Sequence, residues 1–382
     1  MTSHSIDTLK ALSSQMYLEP AEETGCPKIG ERDELKGMVY HAAMPNGKSI
    51  KLLKTLLTSA CERNCYYCPF RAGRDFRRTT LRPDEMAVIF MNLHQAGVVE
   101  GLFLSSGIIG GGLKTQDKII ATAEILRNKL QFRGYLHLKV MPGAERAQVE
   151  QAMLLADRVS INLEAPNTER LSRLAPRKEF TEELLKPLKW IEEIRRTQAP
   201  YNAWKKRWPS SVTQFVVGAA DESDLELLST TEYLYRNLRL KRAYYSKFNP
   251  IENTPLEGLP PTSPQREHRL YQASFLIRDY GFSLEEMPFN QDGYLPSSQD
   301  PKLAWANQNL LDRPIEINSA SRQELMRIPG IGPRSANAIL LARRQNLFNS
   351  VNDLRRIGIN PTKALPYILF AGRQPAHQIS LF

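Results

Sequence analysis

Six short apolar runs recur along the first two thirds of the chain: SIKLLKTLLTSA (49–60), VVEGLFLSSG (98–107), YLHLKVMPG (135–143), RVSINLEAP (158–166), VTQFVVGA (212–219) and RAYYSKFNPIENTPL (242–256). Amphipathic stretches of helical period separate them, such as RPDEMAVIFMNLHQAG, with Pro83 placed to open a helix, and TQDKIIATAEILRNKL. Strands that alternate with helix-length crossovers pair in parallel, because each helix carries the chain back to the same end of the sheet. The expected class is therefore α/β, with ligands at the C-terminal ends of the strands.

The first run leads into SACERNCYYCPF, which holds three of the four cysteines, Cys61, Cys65 and Cys68. A structural zinc site needs a fourth ligand, usually from a second C-x-x-C pair; that pair is missing, which leaves Cys26 or His41 to close it. Three thiolates on one loop suit an iron–sulfur cluster whose fourth iron stays open to an outside ligand. Cys26, far upstream, reads as a small buried residue or as a further cluster ligand. Arg71, Arg74, Arg77 and Arg78 follow, and would either meet substrate phosphates or offset the negative charge of a cluster.

The chain of 382 residues has room for two domains. Its hydrophobic share of 42% and charged share of 24% are those of a soluble protein, and no apolar window reaches the roughly 18 residues of a membrane helix. MTSHSIDTLKALSSQMYLEPAEE lacks the pattern of a secretory signal, so the expected place is the cytoplasm, with the thiols reduced. A net charge of +10 favours an anionic partner.

C-x-x-x-C-x-x-C with Tyr67 before the last cysteine resembles the signature loop of radical S-adenosylmethionine (radical SAM) enzymes. The resemblance implies a partial (β/α)6 barrel, a 4Fe-4S cluster on Cys61, Cys65 and Cys68, and S-adenosylmethionine bound at its free iron with Tyr67 near adenine. One electron from the cluster then cleaves the cofactor to a 5′-deoxyadenosyl radical that abstracts hydrogen from the substrate. Ser105, Ser106 and Gly107 stand where relatives have a Gly-Gly-Glu turn; the acidic residue is absent here. Ser160, Asn162 and Glu164, spaced two apart, share one face of a strand, and the trio resembles groups that hold the cofactor's ribose or amino group. Without a ligand they would form a polar interior. Gly218 resembles a fifth-strand turn near adenine, and Asn249 with Pro250 a sixth-strand end beside adenine and substrate.

After a segment rich in Pro, Asn, Gln and Ser, the sequence SASRQELMRIPGIGPRSANAILLARR resembles a helix-hairpin-helix motif. Ser319 or Ser321 would cap its first helix, and Gly330, Ile331 and Gly332 would turn backbone N–H groups toward a DNA phosphate, with Arg334 and Ser335 in support. A second half, with a helix over 361–369, would complete a five-helix unit; such motifs also serve as protein-protein modules. RRTQAPYNAWKKRWP (195–209) places Trp204, Lys205, Lys206 and Arg207 in an insertion at a barrel rim, suited to gripping nucleic acid or to covering the core. The expected divisions are an N-terminal extension (1–47), the barrel (48–290), a linker (291–313), an all-α helix-hairpin-helix domain (314–372) and a tail (373–382).

The tail ends QISLF, which resembles the peptides by which bacterial DNA repair and replication proteins bind the sliding clamp. Gln378, Leu381 and Phe382 would make that contact; the alternative is a tail folded back on its own helices. The whole order resembles a bacterial family of radical SAM proteins associated with DNA modification or repair. The resemblance implies DNA, a uracil-DNA-glycosylase-like protein and an electron donor such as flavodoxin or ferredoxin as partners, and no membrane. No residue stands out as a second hydrogen donor. Radical chemistry on RNA or on a protein partner, and a non-catalytic DNA-binding scaffold with a structural metal, are the competing readings.

Overall fold

The computed structural model describes residues 3–13, 16, 38–43 and 49–376. Contacts divide the chain into two compact units, Met1–Glu222 with Tyr233–Ser263, and Ser223–Glu232 with Pro264–Phe382.

The first unit is built on one sheet, in the order β1 (Val39–Ala43), β2 (Ser49–Leu56), β3 (Gly101–Ser105), β4 (Tyr135–Lys139), β5 (Arg158–Ser160), β6 (Ser210–Val217) and β7 (Arg242–Lys247). All six expected strands form, and β2 to β7 pair in parallel in chain order. The N-terminal extension adds β1, antiparallel to β2, with His41 opposite Lys51. His41 thus stands at the opposite end of β2 from the cysteine loop. The fourth run keeps strand geometry only over Arg158–Ser160 and then rejoins the sheet through a bridge from Glu164 to Phe215.

The crossovers are helical because their apolar positions recur at helical spacing. α1 (Ser3–Ser13) precedes the sheet, and α2 (Pro83–Gln95) buries Met86, Ala87, Ile89, Phe90 and Leu93. α2 opens with Pro83 in its first turn, and the Glu85 carboxylate accepts from the Arg82 N–H at 2.8 Å. α3 (Gly112–Glu124), α4 (Arg146–Leu155), α5 (Thr168–Leu174), α6 (Lys186–Thr197) and α7 (Asp224–Leu238) follow the later strands. β3 is buried from end to end. Truncating Leu104, fully buried there, to Ala would cost about 2 to 5 kcal/mol.

The second unit holds α8 (Pro264–Asp279), α9 (Pro301–Asn309), β8 (Ile315–Glu316), α10 (Arg322–Arg327), α11 (Pro333–Ala342), α12 (Val351–Arg356) and β9 (Ile368–Leu369). α9 forms inside the segment expected as a linker, with Asp300 accepting from the Lys302 and Leu303 N–H groups. Of the two candidate caps, Ser321 is the one used: its hydroxyl accepts from Glu324 N–H at 3.2 Å, and the Glu324 carboxylate accepts from Ser321 N–H at 2.7 Å. Ile317, Leu325, Ile328, Ile339, Leu354 and Ile368 share its core.

The helix expected over 361–369 does not form. Pro366 removes a donor and crowds the preceding turn, so only a 3-10 turn at Leu365–Tyr367 remains. Ile368 and Leu369 pair instead with Ile315 and Glu316, and the five-helix unit gives way to helices closed by a two-stranded parallel ladder.

Candidate functional site

The cysteine loop leaves the C-terminal end of β2 and borders a cavity of about 170 Å3 in the first unit. Cys61, Cys65 and Cys68 line it together with Tyr67, Ser105, Ser106, Gly107, Asn162, Glu164 and Asn249. One parallel sheet thus brings ten of the expected site residues to a single cavity, at the strand ends where ligands were expected.

Backbone contacts fix the thiols in place. Ile108 N–H donates to Cys61 Sγ at 3.5 Å and Phe70 N–H to Cys68 Sγ at 3.4 Å. The Glu62 carboxylate accepts from the N–H groups of Gly110 and Gly111, and Glu62 N–H donates to the Ile108 carbonyl. Gly107 is needed for close approach: a Cβ there would overlap the carbonyl of Ala60, just before the first cysteine.

Burial pushes the Cys65 thiol up, with Lys178 pulling against it, and burial pushes Cys68 up as well. Such thiols stay protonated until a cation replaces the proton. Tyr67 is raised well above the usual phenol range, by burial first and then by Glu164. Arg63, Lys139, Lys178 and Lys247 line the cavity against the one carboxylate of Glu164, a surplus of positive charge suited to an anionic ligand.

Lys178 gave no signal in the sequence. It donates to Glu164 at 3.0 Å, 14 positions upstream, inside the cavity wall. Arg63 is tied in turn to Glu183 and to the Arg177 carbonyl. Glu164 keeps Oε2 buried without a hydrogen-bond partner, an open acceptor for a ligand's donor. Met141, Val216, Phe248 and Ile251 supply apolar wall.

Other expected residues lie elsewhere. Ser160 is buried outside the cavity wall, its hydroxyl without a partner. Gly218 shapes a turn at φ +90, where a Cβ would overlap the Thr262 hydroxyl, and its N–H donates to Glu222. Pro250 flanks Asn249 without lining the cavity.

Trp204, Lys205, Lys206 and Arg207 precede β6 and sit at the N-terminal ends of the strands, opposite the thiols. Trp204 packs on the Arg127 guanidinium at 3.8 Å, and Lys205 pairs with Asp157 at 2.8 Å. This insertion covers the barrel's far end, so Trp204 is not placed to stack a base near the cluster.

In the second unit the hairpin 329–332 joins α10 to α11. Gly330 takes φ +80, which favours glycine. Ile331 is buried, and its N–H donates to the Ile328 carbonyl inside the hairpin, so Gly330 and Gly332 are left as the candidates for an outside acceptor. A cleft beside it is lined by Arg278, Tyr280, Gly332, Arg334 and Ser335 among others. A Cβ on Gly332 would meet the Tyr280 hydroxyl at 3.0 Å, which gives that glycine a packing reason within the fold. Cys26, Gln378, Leu381 and Phe382 lie outside the described residues. Among the described residues no helix is long and apolar enough to cross a membrane.

Residues 55–201 match the family model of the radical SAM superfamily, and residues 312–363 match that of the helix-hairpin-helix motif. No curated protein matches in sequence. Solved structures that resemble the chain include the FeFe-hydrogenase maturase HydG from Carboxydothermus hydrogenoformans, at 15% identity and TM-score 0.46, covering 59% of this chain and 51% of that one. A radical SAM methyltransferase from Sphaerobacter thermophilus matches at 15% identity and TM-score 0.45, covering 67% and 75%. Coproporphyrinogen III oxidase (HemN) from Escherichia coli matches at 15% identity and TM-score 0.39, covering 59% and 52%. The chain thus spans about half the length of the maturase and of the oxidase.

The first unit is an α/β half-barrel of radical SAM type, and the C-terminal region carries a helix-hairpin-helix motif. Radical SAM domains bind a 4Fe-4S cluster and S-adenosylmethionine. The three thiols and the surplus of cations fit a cluster held by thiolates, and the open Glu164 oxygen fits a donor of the cofactor.

Proposed function

We propose that this chain is a radical SAM enzyme that modifies or repairs a nucleotide in DNA. The observation that carries the reading is the convergence of Cys61, Cys65 and Cys68 with Ser105, Ser106, Asn162 and the Glu164–Lys178 pair on one cavity, in a chain that also bears a helix-hairpin-helix motif.

The cysteines would hold the cluster, and the polar strand ends S-adenosylmethionine. Bound there, the cluster and cofactor would supply a 5′-deoxyadenosyl radical able to take hydrogen from an unactivated carbon. Lys178 offsets the charge of the thiolates and fixes one Glu164 oxygen, which leaves the other to accept from the cofactor's amino or ribose donors. Asn162 and Asn249 offer further polar contacts, and the apolar wall at Met141, Val216 and Phe248 keeps water away from reactive carbon.

A base stacked in duplex DNA cannot reach such a cavity, so the substrate nucleotide is single-stranded or flipped, at a cost of a few kcal/mol. The hairpin at Gly330 and Gly332, with Arg334 and Ser335, would bind backbone phosphate. Gln378, Leu381 and Phe382 would dock on the sliding clamp. A flavodoxin or ferredoxin would deliver the electron, a uracil-DNA-glycosylase-like protein would act alongside, and the setting is cytoplasmic.

The test is to load the enzyme anaerobically, with dithionite and S-adenosylmethionine, and offer lesion-bearing duplex, mismatched duplex, single-stranded DNA and tRNA at matched salt, since phosphate attraction alone inflates affinity at low salt. Stimulation of 5′-deoxyadenosine release by one DNA, together with a mass change in that DNA, supports the reading. Stimulation by tRNA alone, or cofactor cleavage indifferent to every nucleic acid, moves the substrate to RNA or a protein. Stoichiometric zinc with no cleavage leaves a DNA-binding scaffold.

A further inference from the structure

The basic run behind the last cysteine offered itself as a phosphate grip. One of its members is spent on the loop itself. Arg78 Nη1 donates to the carbonyls of Ser59 at 3.2 Å and Phe70 at 2.7 Å; Nη2 donates to those of Arg71 at 2.8 Å and Arg74 at 3.1 Å. Ser59 lies two residues before Cys61, and Phe70 two residues after Cys68. All four terminal N–H donors of one guanidinium are therefore used to join the two ends of the cysteine loop and the turn that follows.

From this geometry we infer that Arg78 is a positioning residue for the cluster, a clasp that sets the arrangement of Cys61, Cys65 and Cys68 before any metal arrives. The inference rests on the reading above, that these thiols hold a 4Fe-4S cluster.

Three further sets of contacts fix the clasp. Its backbone is anchored to the end of β2: Ser59 N–H donates to the Thr79 carbonyl at 2.9 Å, Thr79 N–H to Ser59 Oγ at 2.9 Å, and the Thr58 and Thr80 hydroxyls lie 2.6 Å apart. The guanidinium lies over the Phe76 ring at 4.1 Å, which holds its plane. Arg74 closes the other side, donating to Pro69 O at 3.1 Å and Glu252 O at 3.0 Å.

The chemistry requires arginine. A loop that turns its thiols toward a cavity turns several carbonyls inward behind them, and those acceptors need donors. A planar fork with five N–H groups spans four carbonyls from one side chain, whereas a lysine ammonium offers three donors from a single point. Groups behind metal ligands commonly fix ligand orientation, and their loss weakens binding without removing a ligand.

The experiment compares wild type, Arg78→Lys, Arg78→Gln and Phe76→Leu after anaerobic loading with iron and sulfide. It reads iron per chain, resistance to a chelator, the electron paramagnetic resonance of the reduced cluster with and without S-adenosylmethionine, and thermal unfolding. Arg78→Lys and Arg78→Gln are expected to release iron at about 10- to 100-fold lower chelator concentration than wild type. They should also give an altered cluster spectrum, with lysine no rescue; Phe76→Leu, which keeps every hydrogen bond, should fall between. A variant that retains its iron and shows the wild-type spectrum overturns the inference, whatever its melting temperature. If Arg78→Gln does not fold, Arg78→Lys and Phe76→Leu decide the matter by the same readouts. A wild-type protein that takes up no cluster defeats the functional reading, and the inference with it; a loaded wild type with equally loaded variants defeats the inference alone.

Discussion

Lys178 donates to Glu164 at 3.0 Å in the wall of the thiol-lined cavity, with the two side chains 9% and 6% exposed. Two opposite charges withdrawn from water in this way depend on each other. Glu164→Gln or Lys178→Met strands its partner and should cost about 3 to 5 kcal/mol, while the double variant Glu164→Gln with Lys178→Met should cost less than the sum. Urea unfolding of the three variants checks this; a double-variant cost equal to the sum of the two single costs would show that the pair does not act as a unit.

Gly107→Ala tests the close approach of the β3 end to the cysteine loop. The added methyl overlaps the Ala60 carbonyl, so one of the two segments must move. A loss of about 3 kcal/mol in stability is expected from overpacking, with weaker iron retention than wild type because Ala60 adjoins Cys61. Denaturant midpoint and iron content measure the two effects.

Trp204→Ala should lower stability by about 2 kcal/mol, through loss of the ring stacked on the buried Arg127 guanidinium. Cofactor cleavage should not change, because the residue sits at the N-terminal ends of the strands. A matched pair of unfolding and deoxyadenosine assays separates this packing role from a part in turnover.

Lys302 in the second unit gives a pH signature. It is buried, donates to the Ile331 carbonyl of the hairpin at 2.5 Å, and has its pKa lowered to about 7, by burial first, with Arg327 adding to the shift and Asp300 opposing it. An unfolded lysine titrates near 10.4, so between about 7 and 10.4 the unfolded chain binds a proton that the folded chain does not. Stability therefore rises with pH across that window, and below about 7 the full cost remains. Lys302→Met should flatten this rise in unfolding series from pH 6 to 10.

Much of this was legible in the sequence. Six parallel strands showed as apolar runs because each carries consecutive buried residues, hence residues buried on both faces, and the cysteine spacing survives translation into space because it lies on one loop. What escaped were pairings made by the tertiary fold. Arg78 meets carbonyls on both sides of the loop, and Lys178 meets a carboxylate from another segment. The Trp204 stretch carried an unread signal: it runs from a helix into a strand, and in a parallel α/β unit such connections lie at the end away from the site. Over 361–369, Pro366 already argued against the expected helix, but the ladder that replaced it needed Ile315 and Glu316, some fifty residues upstream in the chain.

The most direct test of the central claim is anaerobic loading with iron and sulfide, then reduction with dithionite in the presence of S-adenosylmethionine and candidate DNA, with 5′-deoxyadenosine as the product measured in wild type and in Cys65→Ala. Release of 5′-deoxyadenosine by wild type and not by the variant is the predicted result. A fully loaded wild-type protein that releases none, or one that carries zinc in place of iron, would contradict it.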